Sequence, residues 1–100
     1  MAKSIIQSKK ECYVCRIIHK ISVKNDLDCH HCILGKGNRK IADKLGLFVY
    51  LCKPHHHYVH HDGWKLLQAL KRVAQRAFEK THTRAEFMAI IGRNYLDDEE

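Results

Sequence analysis

One hundred residues suffice for one small domain with a modest core. The 18 Lys and Arg against 11 Asp and Glu give a net +7, and four of those acids are Asp97–Glu100, so residues 1–96 set 18 basic against seven acidic side chains, +11. That balance favours polyanions, above all nucleic acid, and argues against acidic protein substrates and neutral metabolites. Hydrophobic residues make up 45% of the chain and are patterned, which argues against long disorder. No apolar run approaches the roughly 20 residues of a membrane span, and the opening MAKSIIQSKK has no signal-peptide core. A soluble intracellular protein is expected.

In chain order, residues 1–10 read as a loose basic arm, 11–96 as one domain and 97–100 as a disordered, solubilising acidic tail. Cys12 and Cys15, two residues apart, predict a turn that points two thiolates at one ion. Residues 21–27 are ambiguous, with Asn25-Asp26 as a turn signal. Residues 29–34 predict a strand interrupted by two histidines, and Gly35–Asn38 a flexible loop. Asn38 is placed to cap a short helix over 39–45 that stops at Gly46. Residues 47–51 form a β-branched and aromatic run of strand length. Pro54 suits the first turn of a helix carrying the histidines, interrupted by Gly63. From Trp64 to Lys80, Leu66, Leu67, Leu70, Val73, Ala74, Ala77 and Phe78 follow helical spacing, with Lys and Arg largely off that stripe. Thr83 and Glu86 predict a capping box opening a last helix that ends near Gly92. Trp64, Phe78, Phe87 and Tyr95 are expected to be packing residues rather than base-stacking platforms.

Five Cys without an export signal argue against a disulfide framework, and nine His, seven of them in the clusters 30–31 and 55–61, suggest stabilisation by metal. Cys12-x-x-Cys15 needs a second pair to complete a tetrahedral site. Cys52-x-x-His55 and Cys29-x-x-Cys32 both qualify, and zinc accepts either donor set. Alternatively, Cys29 and Cys32 are small buried residues, a common use of Cys. His30 and His31 are adjacent on a strand and so point to opposite faces. His56 and His60 lie one helical turn apart and can bind one ion from the same face, and His57 and His61 repeat that spacing on a rotated face. Two helix histidines and one strand histidine make an open three-ligand site, with positions left for water and a phosphate oxygen.

The string Cys12-x-x-Cys15, His30-His31, Leu51-Cys52-x-x-His55-His56-x-x-x-His60 resembles the HNH (ββα-metal) endonucleases. It looks closest to the small phage and prophage nucleases associated with recombination, to which GKGNRKIADKLGL and IIGRNYL are also similar. The likeness spans roughly residues 11–96. It implies an α+β fold: a ββα-metal hairpin and helix, a structural zinc knuckle and two additional C-terminal helices. It implies His31 as general base, His30, His56 and His60 as ligands of a catalytic divalent metal, and Cys12, Cys15, Cys52 and His55 as ligands of structural Zn²⁺. The middle Asn of the family would fall near Gly46 or Leu47, neither of which can act through its side chain, and Asn38 is the only nearby Asn. The implied activity is metal-dependent hydrolysis of DNA phosphodiesters to 5′-phosphate and 3′-hydroxyl ends. The setting would be the cytoplasm of a bacterial host, with DNA and a recombinase filament as partners and no membrane.

The chemistry suits these residue types. A neutral imidazole, with an unperturbed pKa of about 6.5, can take a proton from water near neutral pH. One divalent cation, Mg²⁺ or Mn²⁺ as first expectation with Ni²⁺ and Zn²⁺ also admissible, can stabilise both the phosphorus centre and the leaving oxygen. Arg39 or Lys40 can clamp the phosphate, while Arg72 and Arg76 on the 64–80 helix can follow the DNA backbone. Two other readings compete: a non-catalytic zinc module that binds nucleic acid or a recombination protein, and metal buffering by KPHHHYVHHD, which leaves the basic body unexplained.

Overall fold

Phe48-Val-Tyr-Leu-Cys52, β-branched and aromatic, forms a strand as its composition requires, one residue later than expected. Its partner is Leu27–His31, and the two pair antiparallel with Leu27 opposite Cys52 and His31 opposite Phe48 in a computed structural model that describes residues 3–33, 35 and 37–96. The order of elements is β1 (Leu27–His31), α1 (Asn38–Leu45), β2 (Phe48–Cys52), α2 (Lys53–His61), α3 (Trp64–Phe78) and α4 (Arg84–Ile91), after a π-helical turn at Cys15–His19. The fold is α+β: a two-stranded hairpin packed on helices, with two further helices at the C-terminal end. The acidic residues 97–100 lie outside the described residues, and among those described no helix is long and apolar enough to cross a membrane.

β1 starts and stops earlier than the predicted 29–34. Asp26 turns the chain at φ 52° just before the strand. After His31 the Cys32 amide makes one more bond to the Leu47 carbonyl (3.0 Å), and the chain then bends so that Cys32 and Ile33 enter the core. α1 also differs at its start. Asn38 is its first residue rather than its cap, because Gly37 supplies the left-handed turn (φ 86°) into the helix. At the other end Gly46 (φ 76°) closes the helix as expected, and a Cβ there would lie 2.3 Å from the Lys3 carbonyl oxygen.

That close approach explains a correction. Residues 3–10 are not a loose arm but a cover for the outer edge of β2. The Ile5 amide donates to the Gly46 carbonyl (3.0 Å), Ser4 Oγ donates to the Phe48 carbonyl (2.6 Å) and the Tyr50 amide donates to Gln7 Oε1 (2.6 Å). A two-stranded sheet leaves one edge of each strand unpaired, and side chains of the arm supply the missing partners on this one.

α2 follows β2 without a loop, with Pro54 in its first turn where no amide is needed. Gly63 separates it from α3, and a Cβ there would lie 2.3 Å from the Tyr58 ring. α3 buries Leu70, Ala74 and Phe78 on its apolar stripe, together with Gln75, which the hydrophobic pattern does not reveal. The Thr83–Glu86 capping box forms as predicted and sets α4, whose Phe87 packs edge-to-face on Phe78 (centroids 5.5 Å apart).

Candidate metal centres and active site

The first cluster grows from a stapled loop. The Cys12 amide donates to the Val23 carbonyl (2.8 Å), and the π-helical turn ends at Lys20 in left-handed backbone (φ 58°). Buried Glu11 accepts from Arg16 Nε (2.7 Å) and Ser22 Oγ (2.7 Å), closing the loop. These bonds, Arg16 first and Ser22 second, hold its carboxyl down to about 2. Across from this loop, Cys52 ends β2 and His55 lies in the first turn of α2. His55 Nδ1 is 3.6, 3.4 and 3.2 Å from the sulfurs of Cys12, Cys15 and Cys52, and Cys15 Sγ is 3.8 Å from Cys52 Sγ. A zinc tetrahedron with Zn–S of about 2.3 Å and Zn–N of about 2.0 Å has edges of about 3.8 Å between sulfurs and about 3.5 Å between sulfur and nitrogen. The four residues fit that ion.

Burial supports the same conclusion. The three cysteines are buried, and burial, followed by the neighbouring Cys12 and Cys52 thiols, pushes the Cys15 thiol up to about 12. A cation supplies the charge that makes such packed sulfurs favourable as thiolates. The rival pair does not join them. Cys32 is fully buried in the core, where burial pushes its thiol up to about 12, and Cys29 sits half-buried beside His31.

The second cluster uses one face of β1 and one face of α2. Asp28 and His30 alternate on the strand and so face the same way, toward α2. His56 and His60, one turn apart, have ring centroids 5.0 Å from each other and 5.7 and 5.3 Å from His30. One ligand nitrogen from each of the three lies within 4.8 Å of the others. Burial first, then the neighbouring His60, His56 and His31, pushes His30 down to about 3, so it is neutral near pH 7. Its Nε2 is buried and has no hydrogen-bond partner. A buried ring nitrogen without a partner beside two more imidazoles fits a cation ligand. Asp28 orients the set: it accepts from His56 Nδ1 (3.0 Å) and pairs with Lys53, whose hydrogen bond, ahead of that of His56, lowers its carboxyl.

His31 points to the other face of β1, as the strand alternation predicts, and meets α1. There its Nε2 lies 2.6 Å from Asp43 Oδ1. A carboxylate can only accept, so Nε2 is the nitrogen that donates to it, which in the neutral ring makes Nδ1 the basic one. The two faces meet at the end of the strand, where His30, His31, His56, His60 and Arg39 line one cavity of about 320 Å³. The arrangement can hold a divalent cation on three imidazole nitrogens, with a fourth, separately oriented imidazole and a guanidinium on the same cavity.

Of the proposed phosphate-binding side chains, Arg39 lines that cavity, whereas Lys40 and Arg76 are exposed on α1 and α3 away from its described lining. Arg72 lines a different cleft, beside Trp64. Trp64 is not a packing residue: it is the first residue of α3 and is 63% exposed. Phe78 and Phe87 are core, and half-buried Tyr95 packs edge-to-face on Phe87 (6.3 Å). The sequence reading missed Asp28 and Asp43. The signal for Asp28 was available, since Asp28-x-His30 places both on one strand face. Nothing local marks Asp43, twelve residues from its partner. His57 and His61 stack on each other (4.0 Å), exposed, and share a cleft with His56 and His60 without joining the triad. No family model matches the chain, and neither the curated proteins nor the solved structures offer a match.

Proposed function

We propose that this protein is a metal-dependent DNA endonuclease of the HNH (ββα-metal) type. The observation that carries the reading is the cavity where three imidazoles converge while a fourth, His31, is held apart by Asp43. His30, His56 and His60 would hold a divalent cation, and the Cys12, Cys15, Cys52 and His55 group a structural zinc. A cation held by these three residues would supply Lewis-acid stabilisation to the phosphate under attack. His31 Nδ1 takes the proton from the attacking water while its Nε2–H donates to Asp43. Arg39 offers a guanidinium to a non-bridging phosphate oxygen. Asp43 fills the orienting role for which the resemblance provides no asparagine. The all-nitrogen donor set favours Ni²⁺ or Zn²⁺, and less strongly Mn²⁺, over Mg²⁺, which prefers oxygen ligands. The phage origin and the recombinase-filament partner rest on the resemblance alone.

Nicking of supercoiled plasmid by wild type and His31→Ala, with Mn²⁺, Ni²⁺, Mg²⁺ or EDTA, tests the reading. Metal-dependent nicking is expected, stronger with Mn²⁺ or Ni²⁺, and absent in His31→Ala at unchanged zinc content. Inert wild type on plasmid, on single strands and on recombinase-coated DNA would leave a zinc-stabilised binding module instead.

A further inference from the structure

The cleft around Trp64 is built from two chain segments. Trp64, Lys65, Gln68 and Arg72 come from the first half of α3, and Arg93 and Asn94 from the segment after α4; together they enclose about 550 Å³. Every charged side chain in its described lining is basic. The far wall is anchored rather than loose. Buried Gln75 donates to Asn94 Oδ1 (2.8 Å) and accepts from the Tyr95 amide (2.7 Å), tying residues 94–95 to α3. The Tyr95 ring is already engaged, with Lys71 Nζ 5.7 Å and the Arg93 guanidinium 5.6 Å from its centroid. It therefore serves to hold the cations, and the exposed indole of Trp64 is the aromatic face left for a ligand.

We propose that this cleft binds an unpaired stretch of nucleic acid, with a base stacked on Trp64 and backbone phosphates on Lys65, Arg72 and Arg93. An aromatic platform set among cations is the chemistry of single-strand binding: every base has a π-face, and the phosphates follow the positive groove. Paired bases inside a duplex hide their faces, so the platform selects unpaired or extruded ones. An acidic peptide would satisfy the cations but leave the indole unused. Position fits as well. Trp64 is four residues from His60, so their Cα atoms lie at most about 14 Å apart, and a strand held here passes close to the histidine triad. The inference goes beyond the nuclease reading and does not depend on cleavage.

Trp64 is the sole tryptophan, so its emission reports the cleft directly. Zinc-loaded protein, with no other divalent metal added, is titrated with oligo(dT) and with a blunt duplex of the same length, following tryptophan emission and the anisotropy of labelled DNA. Saturable quenching by oligo(dT), greater than by duplex, is expected. Trp64→Ala should weaken oligo(dT) binding about 10-fold by anisotropy, while Trp64→Phe retains it. Arg72→Ala and Arg93→Ala should each flatten the log K against log salt slope by about 0.7. The proposal is overturned if oligo(dT) fails to bind, binds without changing the emission, or binds Trp64→Ala as tightly as wild type. Equal quenching by the duplex would overturn its single-strand preference. None of these outcomes bears on plasmid nicking, which His31→Ala tests separately.

Discussion

A histidine can act as a base only through a nitrogen that is not protonated, and its two nitrogens are distinguished by what the other one touches. In His31 that neighbour is Asp43, 2.6 Å from Nε2. Asp43→Asn should therefore be more than the loss of a charge. The asparagine amide can donate to Nε2, moving the proton to Nδ1 and removing the lone pair from the nitrogen proposed as base. The expected result is a fall in kcat of about 100-fold with KM and metal content unchanged, and partial recovery in Asp43→Glu. A variant that cleaves at the wild-type rate would show that His31 needs no such partner. At this scale the sequence was legible for the clustered donors and less so for the groups that orient them. His30, His56, His60 and the Cys3His set stand out because their residue types are rare and their spacings match one face or one turn. Asp43 and Glu11 do not, because an acid among 29% charged residues is unremarkable until the fold places it against a partner.

The elements themselves were largely readable from periodicity, and the differences lie at their ends. Thr83 and Glu86 mark the start of α4 because both halves of a capping box are local. β1 was displaced because its limits are set by pairing with β2, which no local pattern contains. The N-terminal arm was misread for the same reason: its polar composition suggests solvent, yet Ser4 and Gln7 use that polarity to satisfy the open edge of β2. Gly46 couples the two features, ending α1 at φ 76° and admitting the Lys3 carbonyl to within 2.3 Å of where a Cβ would be. Gly46→Ala should thus cost about 1–3 kcal/mol, from left-handed strain and from displacement of the arm. Urea unfolding measures the loss, and limited proteolysis should show new cleavage within residues 3–10. Unchanged stability together with an uncut arm would mean that the arm contributes nothing to holding β2.

For the whole molecule, the question is what holds a 100-residue chain together when so much of its interior is sulfur and imidazole. The core is one continuous cluster whose two ends differ in chemistry. Phe78, Phe87 and Leu70 pack α3 and α4, whereas Cys12, Cys15 and Cys52 occupy buried positions where the knuckle loop meets the β2–α2 junction. A structural zinc contributes about 10–16 kcal/mol of apparent binding energy, against a total stability of about 5–15 kcal/mol for a small domain. Removing the ion should therefore unfold the hairpin and the loop rather than loosen them. Ligand deletion and chelation must then agree: Cys52→Ser, or wild type treated with a strong zinc chelator, should lose one equivalent of zinc and the cooperative thermal transition followed by circular dichroism. His56→Ala, in the separate histidine cluster, should keep both. A metal-free protein that still melted cooperatively near the wild-type temperature would place the stability in the helical pair instead and reduce the Cys3His cluster to an accessory.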